Sequence, residues 1–439
     1  MLDISLDLAC KWMGIAMPSS SAAVQGVTID TRLLKAGQIF FALDGKQCDG
    51  HDFLDQARRA GAVAAVVRKD HPALSAGNGA DFYLTVEDPL QALGELAKKW
   101  LQSFSPIVIG ITGSVGKTTA KDYLNHLLGG NAAQVFAAPA SYNSETGLPL
   151  AILQAPASSQ ILVLEYGVNE PGEMDQRLRV VHPTHAWLTA ISPAHLEGMK
   201  TLAVVRTEKE KLLEAATEKC LREEELFSQG LAQWQNKIPG QWSVHLAKVG
   251  NLTLPVLAVH EASLATSAAW FAQLLGVKPA LIQERMAQLE PAPGRLNLHH
   301  WGSWHILDDS YNASPAAMHS AFEVLVNLPG SQRKVGVLGT MHEMGHEKEQ
   351  YHREVGAEFF EAGGDVLIGI GKGGKWMAEA FSACGGLVGV FPDWQAAGDW
   401  LKQELLPHDA ILLKASRKER LERLLPLFRL WAGVEKVES

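Results

Sequence analysis

Cysteine is scarce in this chain, which has four in 439 residues and no CxxC pair. Such wide spacing excludes a disulfide scaffold and the common zinc patterns, and it indicates a reducing compartment. Long apolar runs are also lacking, since none reaches the roughly 18 residues that a membrane span requires. The N-terminus, MLDISLDLACKWMG, lacks the basic start of a secretory signal. We therefore expect a cytoplasmic protein without stable membrane insertion.

Positive charge is not in excess either. Lys and Arg number 39 against 48 Asp and Glu, which gives a net charge of −9 and a pI of about 6.0. General nucleic-acid binding favours a basic face, so no nucleic-acid partner is predicted, although a local basic pocket for a phosphorylated ligand remains compatible with this balance. The length predicts two to four domains.

The chain divides into three blocks with the rhythm of α/β proteins. Residues 1–104 mix short strands and helices, with strands predicted over 38–43 and 62–68 and helices over 53–61 and 90–100. Residues 105–291 alternate apolar strands with helix-length segments. Residues 292–439 follow a linker rich in proline and glycine and repeat that alternation. We predict three α/β domains, the central one a P-loop ATPase parallel sheet and the last a Rossmann-like doubly wound domain.

A glycine-rich loop follows the β-branched strand IVIGIT (107–112). Glycines let the backbone curl so that successive N–H groups face one anion, and the following helix presents its positive end to phosphates. Lys117 would contact the β and γ phosphates, and the Thr118 hydroxyl would contact Mg²⁺. The outer glycine, Gly110, lies seven residues before the lysine rather than six. An ordinary turn between strand and helix is the alternative. The predicted ATP-binding residues here are Gly113, Ser114, Val115, Gly116, Lys117, Thr118 and Thr119.

Two further residues lie at predicted strand ends in the central block. Glu165 ends the strand ILVLEYG, and a carboxylate at the carboxyl end of a parallel strand faces the ligand crevice, where it can hold Mg²⁺. The alternative is a solvated edge residue. His195 follows the strand HAWLTAI and would lie at the same crevice, although an isolated histidine is more often structural.

Lys209 and Lys211 lie in the mixed-charge run Arg206–Glu225, whose spacing is typical of a solvated helix. They could be a pair of surface lysines. A partly buried lysine with a lowered pKa could instead carry a carbamate, which turns a cation into an oxygen ligand for a metal. Spacing alone does not decide between these two interpretations.

Polar residues also cluster after the strands of the third block. They lie in DDSYNASPAAM (308–318), VLGTMHEMG (337–345) and KASR (414–417), and they are consistent with a substrate crevice facing the ATP domain. Turn and cap chemistry is the alternative for any one of them. The residues are Asp309, Asn312, His342, Glu343, Lys414 and Arg417.

Together these motifs resemble the Mur ligases of peptidoglycan synthesis, over nearly the whole chain. The resemblance also rests on VTIDTRLLKAGQIFFALDGKQCDGHDF (27–53), NSETGLPLAIL (143–153), EYGVNEPGEM (165–174) and AHLE (194–197). The last-domain strings are similar to those of the branch that joins D-alanyl-D-alanine to UDP-N-acetylmuramoyl-tripeptide. The resemblance implies that ATP phosphorylates the tripeptide carboxylate and that the dipeptide amine attacks the acyl phosphate.

The resemblance also implies roles for individual residues. Thr118 and Glu165 would hold one Mg²⁺, and His195 with a carbamylated Lys209 would serve a second. Lys209 is preferred to Lys211 because it follows Glu197 by twelve residues, which is the family spacing. The implied catalytic residues are Lys117, His195 and Lys209. Arg295 would lie near the nucleotide, and the implied substrate-binding residues are Asp30, Thr31, Arg32, Asn143, Asp309, Asn312, Lys414 and Arg417. A monomer is implied as well.

The sequence departs from the family pattern mainly on the adenine side. Residues 218–255 lack the family's leucine- and asparagine-rich segment, and Glu261 and Leu264 replace both asparagines of its HNxxN string. Thr340 stands in place of an aspartate. These departures predict that adenine is bound differently or more weakly. They also keep two alternatives open: a related Mur or folylpolyglutamate-type ligase with a different acceptor, and a catalytically weakened scaffold on the same fold.

Overall fold

The structure, a computed structural model, describes residues 2–15, 22–45, 48–72, 82–130, 134–139, 142–192, 196–237, 242–342 and 344–434. Within these ranges, no helix combines the length and apolar character needed to cross a membrane.

The first block folds around a four-stranded parallel sheet in the order β3-β4-β5-β6, beside a small antiparallel pair β1-β2. Its strands are β1 (Ile4–Ser5), β2 (Ala23–Val24), β3 (Val27–Thr28), β4 (Ile39–Phe41), β5 (Ala64–Arg68) and β6 (Tyr83–Val86). Its helices are α1 (Leu6–Met13), α2 (Leu54–Arg59) and α3 (Pro89–Phe104).

Helix α3 joins the first block to the second. The Asp88 side chain accepts hydrogen bonds from the first-turn N–H groups, and Pro89 occupies the first turn, where no backbone donor is needed. The apolar face is buried, and the Trp100 indole N–H donates to the Ala155 carbonyl at 3.1 Å. One hydrophobic core therefore runs continuously from the first sheet to the central one.

The central block contains a five-stranded parallel sheet in the order β11-β10-β7-β9-β8. Its strands are β7 (Ile107–Thr112), β8 (Val135–Ala137), β9 (Ile161–Glu165), β10 (His185–Leu188) and β11 (Cys220–Arg222). The helices around it are α4 (Lys117–Leu128), α5 (Gly147–Gln154), α6 (Glu173–Val180), α7 (Leu196–Met199) and α8 (Leu202–Ala215). Since β7 lies in the middle of the sheet, its carboxyl end faces the crevice between its neighbours.

A small antiparallel sheet, which the sequence did not predict, follows in the region that departs from the family pattern. It consists of β12 (Ala232–Asn236), β13 (Trp242–Leu246) and β14 (Gly250–Leu254) and packs with α9 (Glu223–Ser228), α10 (Val259–Leu274) and α11 (Pro279–Ala287). The charged run expected to be a solvated helix is one helix only as far as Ala215, and part of that helix is buried.

The third block is a six-stranded sheet in the order β15-β16-β20-β17-β18-β19, parallel except for β15. Its strands are β15 (Asn297–Trp301), β16 (Trp304–Asp308), β17 (Arg333–Gly339), β18 (Val366–Ile370), β19 (Leu387–Phe391) and β20 (Asp409–Lys414). Helices α12 (Pro315–Val326), α13 (Lys348–Glu361) and α14 (Gly371–Ala383) cover one face, and α15 (Trp394–Glu404) and α16 (Leu425–Trp431) cover the other.

The predicted fold class is confirmed: three α/β units, with a central parallel sheet behind the phosphate loop and a doubly wound sheet at the end. The domain limits of 1–104, 105–291 and 292–439 stay predictions.

Candidate active site

The phosphate loop lies between β7 and α4 and is fixed to the neighbouring strand β10. The Ser114 N–H donates to the Ala190 carbonyl at 2.8 Å, and the Thr189 hydroxyl donates to the Val115 carbonyl at 2.6 Å. The Lys117 ammonium donates to the Gly113 carbonyl at 2.8 Å, so the lysine folds back across the loop. The loop is thus preorganised around the N-terminus of a twelve-residue helix, where an anion is favoured.

The two inner glycines of this loop are required by its geometry. Gly113 has φ +153° and Gly116 has φ +84°, a region in which side-chain-bearing residues are strained. A Cβ on Gly113 would lie 1.8 Å from the Thr189 hydroxyl oxygen, and a Cβ on Gly116 would lie 2.9 Å from the Leu264 side chain. Leu264, one of the family departures, therefore packs directly on the loop.

Glu165 lies at the carboxyl end of β9, beside the start of α4. Its side chain is 2% exposed, so the alternative of a solvated edge residue is wrong. The Thr118 hydroxyl donates to Glu165 Oε2 at 3.2 Å, whereas Glu165 Oε1 has no hydrogen-bond partner within the described ranges. Lys121 Nζ lies 3.5 Å from that oxygen and donates to the Ala138 carbonyl. A buried carboxylate oxygen without a hydrogen bond, next to a hydroxyl, fits a divalent cation.

Lys209 and Lys211 have different environments on α8. Lys209 is 1% exposed, and its ammonium has no hydrogen-bond partner among the residues that the structure describes. Burial, with the nearby charge of Lys117, lowers its pKa well below the ordinary lysine value, which favours the neutral amine. Lys211 is partly exposed and pairs with Asp175 at 2.7 Å and with Glu208 at 2.8 Å. Of these two lysines, Lys209 is the one whose environment favours a neutral amine.

Other predicted residues of the central block fall in different places. Asn143 lies beside the end of β9, where its carbonyl accepts a 2.9 Å hydrogen bond from the Gly167 N–H. Thr119 is buried in the first turn of α4. His195, predicted as a metal ligand, lies outside the described residues, as does Glu343 of the third block.

The third block brings Asp309 and Lys414 together at the ends of β16 and β20. Lys414 is 1% exposed, forms a short ion pair with Asp309, and donates to the Asn312 carbonyl at 3.1 Å. Burial raises the pKa of Asp309 even though Lys414 opposes the shift. Nearby, the His342 N–H donates to the Ser416 hydroxyl at 2.9 Å, which joins the loops after β17 and β20.

Arg295 connects the third block to the phosphate-loop helix. Its guanidinium lies 4.2 Å from the centre of the Tyr311 ring, and that of Arg417 lies 5.5 Å from the same ring. Arg295 also acts electrostatically on Asp122 of α4, where burial raises the carboxyl pKa. The predicted nucleotide arginine thus lies in the crevice between the central and last sheets.

The predicted uridine-diphosphate residues lie on the first sheet, just after β3. Asp30 accepts three hydrogen bonds from the Arg32 guanidinium and one from the Arg32 backbone N–H. Thr31 lies between them in the same turn, and the Arg32 side chain is 82% exposed. Asp30 therefore holds the Arg32 guanidinium in an accessible position, and a guanidinium is suited to a phosphate.

Glu261 is a residue whose environment sequence reasoning missed. It is 2% exposed at the start of α10, and burial raises its carboxyl pKa to about 8. The Tyr123 hydroxyl donates to it at 3.5 Å, and the Ala258 N–H donates at 3.3 Å. The raised pKa favours the protonated acid, a form that carries both a donor and an acceptor, as does the asparagine at this place in the family pattern. Lys121, four residues after Lys117, was also missed, and its helical spacing was the available signal.

Comparison with protein families gives three matches in chain order. Residues 23–100 match the model described as Mur ligase family, catalytic domain, residues 111–241 match the Mur ligase middle domain, and residues 294–417 match the Mur ligase, glutamate ligase domain.

Curated proteins named UDP-N-acetylmuramoyl-tripeptide–D-alanyl-D-alanine ligase match nearly the full length. That of Bacillus subtilis is 30% identical over 92% of both chains, and that of Synechocystis is 31% identical over 95% of this chain and 94% of its own. Among solved structures, MurF from Acinetobacter baumannii superposes with a TM-score of 0.85 at 24% identity, covering 98% of this chain and 99% of that one. MurF from Thermotoga maritima in complex with ADP superposes with a TM-score of 0.81 at 26% identity, covering 93% and 98%.

Proposed function

This chain belongs to the Mur ligase family, and from that membership we propose that it uses ATP to join D-alanyl-D-alanine to UDP-N-acetylmuramoyl-tripeptide. The reaction is a step of peptidoglycan precursor synthesis. The observation that carries the proposal is the convergence at one crevice of a phosphate loop, a buried carboxylate and a buried lysine that has no hydrogen-bond partner in the described part of the chain.

The chemistry has two steps that balance without a further reactant. A carboxylate oxygen of the tripeptide attacks the γ-phosphorus of ATP, so that an acyl phosphate forms and ADP leaves. The dipeptide amine then attacks the acyl carbon and loses one proton to water, an amide bond forms, and inorganic phosphate leaves with the electron pair of the broken C–O bond. Lys117 and the loop N–H groups hold the transferred phosphoryl group while its charge shifts to the leaving oxygen.

The metal-binding part of the proposal rests on Thr118 and Glu165. The unsatisfied Oε1 of Glu165 and the adjacent hydroxyl would hold Mg²⁺, which supplies charge neutralisation for phosphoryl transfer. Lys121, ion-paired with Glu165, keeps this carboxylate in position when the ligand is absent.

We assign a carbamate to Lys209 as part of the same proposal. A neutral amine adds CO₂ to give N-carboxylysine and one proton, and the environment of Lys209 favours the neutral amine. The product is an oxygen donor beside Lys117, which suits a second Mg²⁺ together with His195.

We propose that each substrate is bound by a different one of the three α/β units. Arg32 with Asp30 and Thr31 takes the uridine-diphosphate end, and the crevice around Asp309 and Lys414 takes the dipeptide. Closure of the last sheet on the central one excludes water, which would otherwise hydrolyse the acyl phosphate. We propose a cytoplasmic monomer.

The test is phosphate release by the purified chain with ATP, Mg²⁺, the UDP-linked tripeptide and D-alanyl-D-alanine. Turnover that requires all three substrates is expected. Turnover only with another acceptor, such as a single amino acid or glutamate, would instead favour a related ligase. No turnover with any acceptor would favour the alternative of a catalytically weakened scaffold protein on the same fold.

A further inference from the structure

A cluster of cations follows β20 and takes no part in the contacts described above except through Arg417. An open cavity of about 590 Å³ is lined by Arg417, Lys418, Arg420, Glu422 and Arg423. Four of these five side chains are positive, in a chain whose net charge is −9. Such a local reversal of charge needs an explanation.

Local geometry places the three arginines on one side of the chain. They are spaced by three residues, residues 417–419 and 421–424 form two separate 3₁₀ turns, and all three arginines line the same cavity. Between the turns, Arg420 has φ +56°, a conformation that few side-chain-bearing residues adopt. Leu421 and Leu424 are fully buried and hold the turns against the sheet. The arginines therefore point to the cavity while the leucines point to the core.

The cations of this cavity are not neutralised by the protein. Among the described residues, Arg417, Lys418, Arg420 and Arg423 form no ion pair within 4.0 Å. The nearby carboxylate of Glu419 lies instead 3.6 Å from His342 Nε2. Two of the guanidiniums are positioned by rings: Arg417 lies 5.5 Å from the centre of Tyr311, and Arg423 lies 5.8 Å from that of Trp394. Oriented guanidiniums without a partner are suited to a carboxylate or phosphate.

The cavity also lies where the sheet topology places ligands. The chain after β20 packs on one face of the last sheet, whereas the helices after its neighbours β16 and β17 pack on the other face. Strands whose connections diverge in this way open a crevice at their carboxyl ends. Arg417 connects this crevice to Tyr311 and Arg295, on the side of the ATP-binding sheet.

We infer that this cavity binds the α-carboxylate of the incoming dipeptide, with Arg420 and Arg423 as the residues that select an acceptor with a free carboxylate. The inference rests on the proposed ligase function. The acceptor carries an amine at one end and a carboxylate at the other, so anchoring the carboxylate directs the amine toward the acyl phosphate.

The test compares D-alanyl-D-alanine with its C-terminal carboxamide in steady-state ligation by the full chain. Arg420→Asn is the variant of choice, because asparagine tolerates the left-handed conformation, and Arg423→Gln keeps a planar group over Trp394. Each variant should raise KM for the free dipeptide by roughly ten-fold or more, the scale of a lost charge-assisted hydrogen bond, with kcat within two-fold. KM for ATP and for the UDP-linked tripeptide should stay unchanged.

The carboxamide gives the decisive comparison. The wild type should already show the raised KM with it, and the variants should add nothing further. Lys402→Ala, which removes an exposed cation of α15 outside the cavity, is the matched control and should behave as wild type.

Three results would overturn the inference: equal use of acid and carboxamide by the wild type, a change in KM for the tripeptide instead of the dipeptide, or an equal loss of kcat with both acceptors. The last would indicate a structural role. Absence of wild-type turnover with every acceptor would count against the ligase function itself. That outcome is distinct from each of the three results that would overturn the carboxylate-binding inference.

Discussion

The buried carboxyl of Glu261 allows a quantitative test of the site that departs from the family pattern. The perturbation is Glu261→Gln, which keeps the shape of the side chain and removes its charge. Glu261 is 2% exposed, and burial, with a contribution from Asp309, raises its pKa from 4.5 to about 8. The unfolded chain therefore loses this proton at a much lower pH than the folded chain does.

The sign and size of the effect follow from proton linkage. Between pH 4.5 and about 8 the folded wild type holds one more proton at Glu261 than the unfolded chain. The free energy of unfolding therefore falls as pH rises through this window, by up to about 1.4 kcal/mol per pH unit, and is flat beyond it. Glutamine has no such proton. The stability of the variant relative to wild type should thus rise by roughly 2–4 kcal/mol between pH 5 and 8.

The assay is urea unfolding at several pH values, monitored by tryptophan fluorescence. Subtracting the unfolding free energy of the wild type from that of the variant cancels the contributions of all other titrating groups. Glu404→Gln, at an exposed position at the end of α15, is the matched control and should give a flat difference. A flat difference for Glu261→Gln as well would refute the argument that Glu261 is a buried neutral acid in the folded state.

Three further predictions concern the phosphate loop and the carbamate. Lys117→Ala should lower kcat/KM for ATP by at least about a hundred-fold, because a phosphate-binding charge is lost, and phosphate release measures this. Gly113→Ala should lower the thermal unfolding midpoint and abolish ATP binding in calorimetry, since the added Cβ would lie 1.8 Å from the Thr189 hydroxyl oxygen. Lys209→Met should abolish ligation and should lose the carbamate signal that ¹³C-bicarbonate gives in the wild type by NMR. Lys211→Met, the control, should retain both the activity and that signal.

The phosphate side of the site could be predicted because its chemistry is local in sequence. A β-branched strand, two glycines, a lysine and the start of a helix are consecutive, and the structure places them as the pattern indicated. The position of Glu165 could be predicted for a similar reason, since the end of a buried parallel strand is recognisable from its apolar run. The three α/β units followed from the same alternation of strands and helices.

What could not be predicted depends on contacts distant in sequence. The spacing of Lys209 and Lys211 is equally compatible with a surface pair, and only the packing of α8 separates a buried amine from an exposed ion pair. The antiparallel strands β12–β14 were missed because their short apolar segments lie in a stretch rich in polar residues. The cation cavity after β20 depends on the left-handed Arg420, which the run RKERLERL does not indicate.

The pKa values of Lys209 and Glu261 are shifted in opposite directions for one physical reason, and that reason determines how much fixed charge the site carries. Burial disfavours the charged form of both, so the amine and the acid are each biased toward neutrality. Charged groups at the phosphate loop include Lys117 and the pair of Glu165 and Lys121. In the proposed function, a triphosphate that enters this crevice would contact the Lys117 ammonium and would share its Mg²⁺ with Glu165. Addition of CO₂ to Lys209 would supply negative charge there, which fits a site that takes a second divalent cation with its nucleotide.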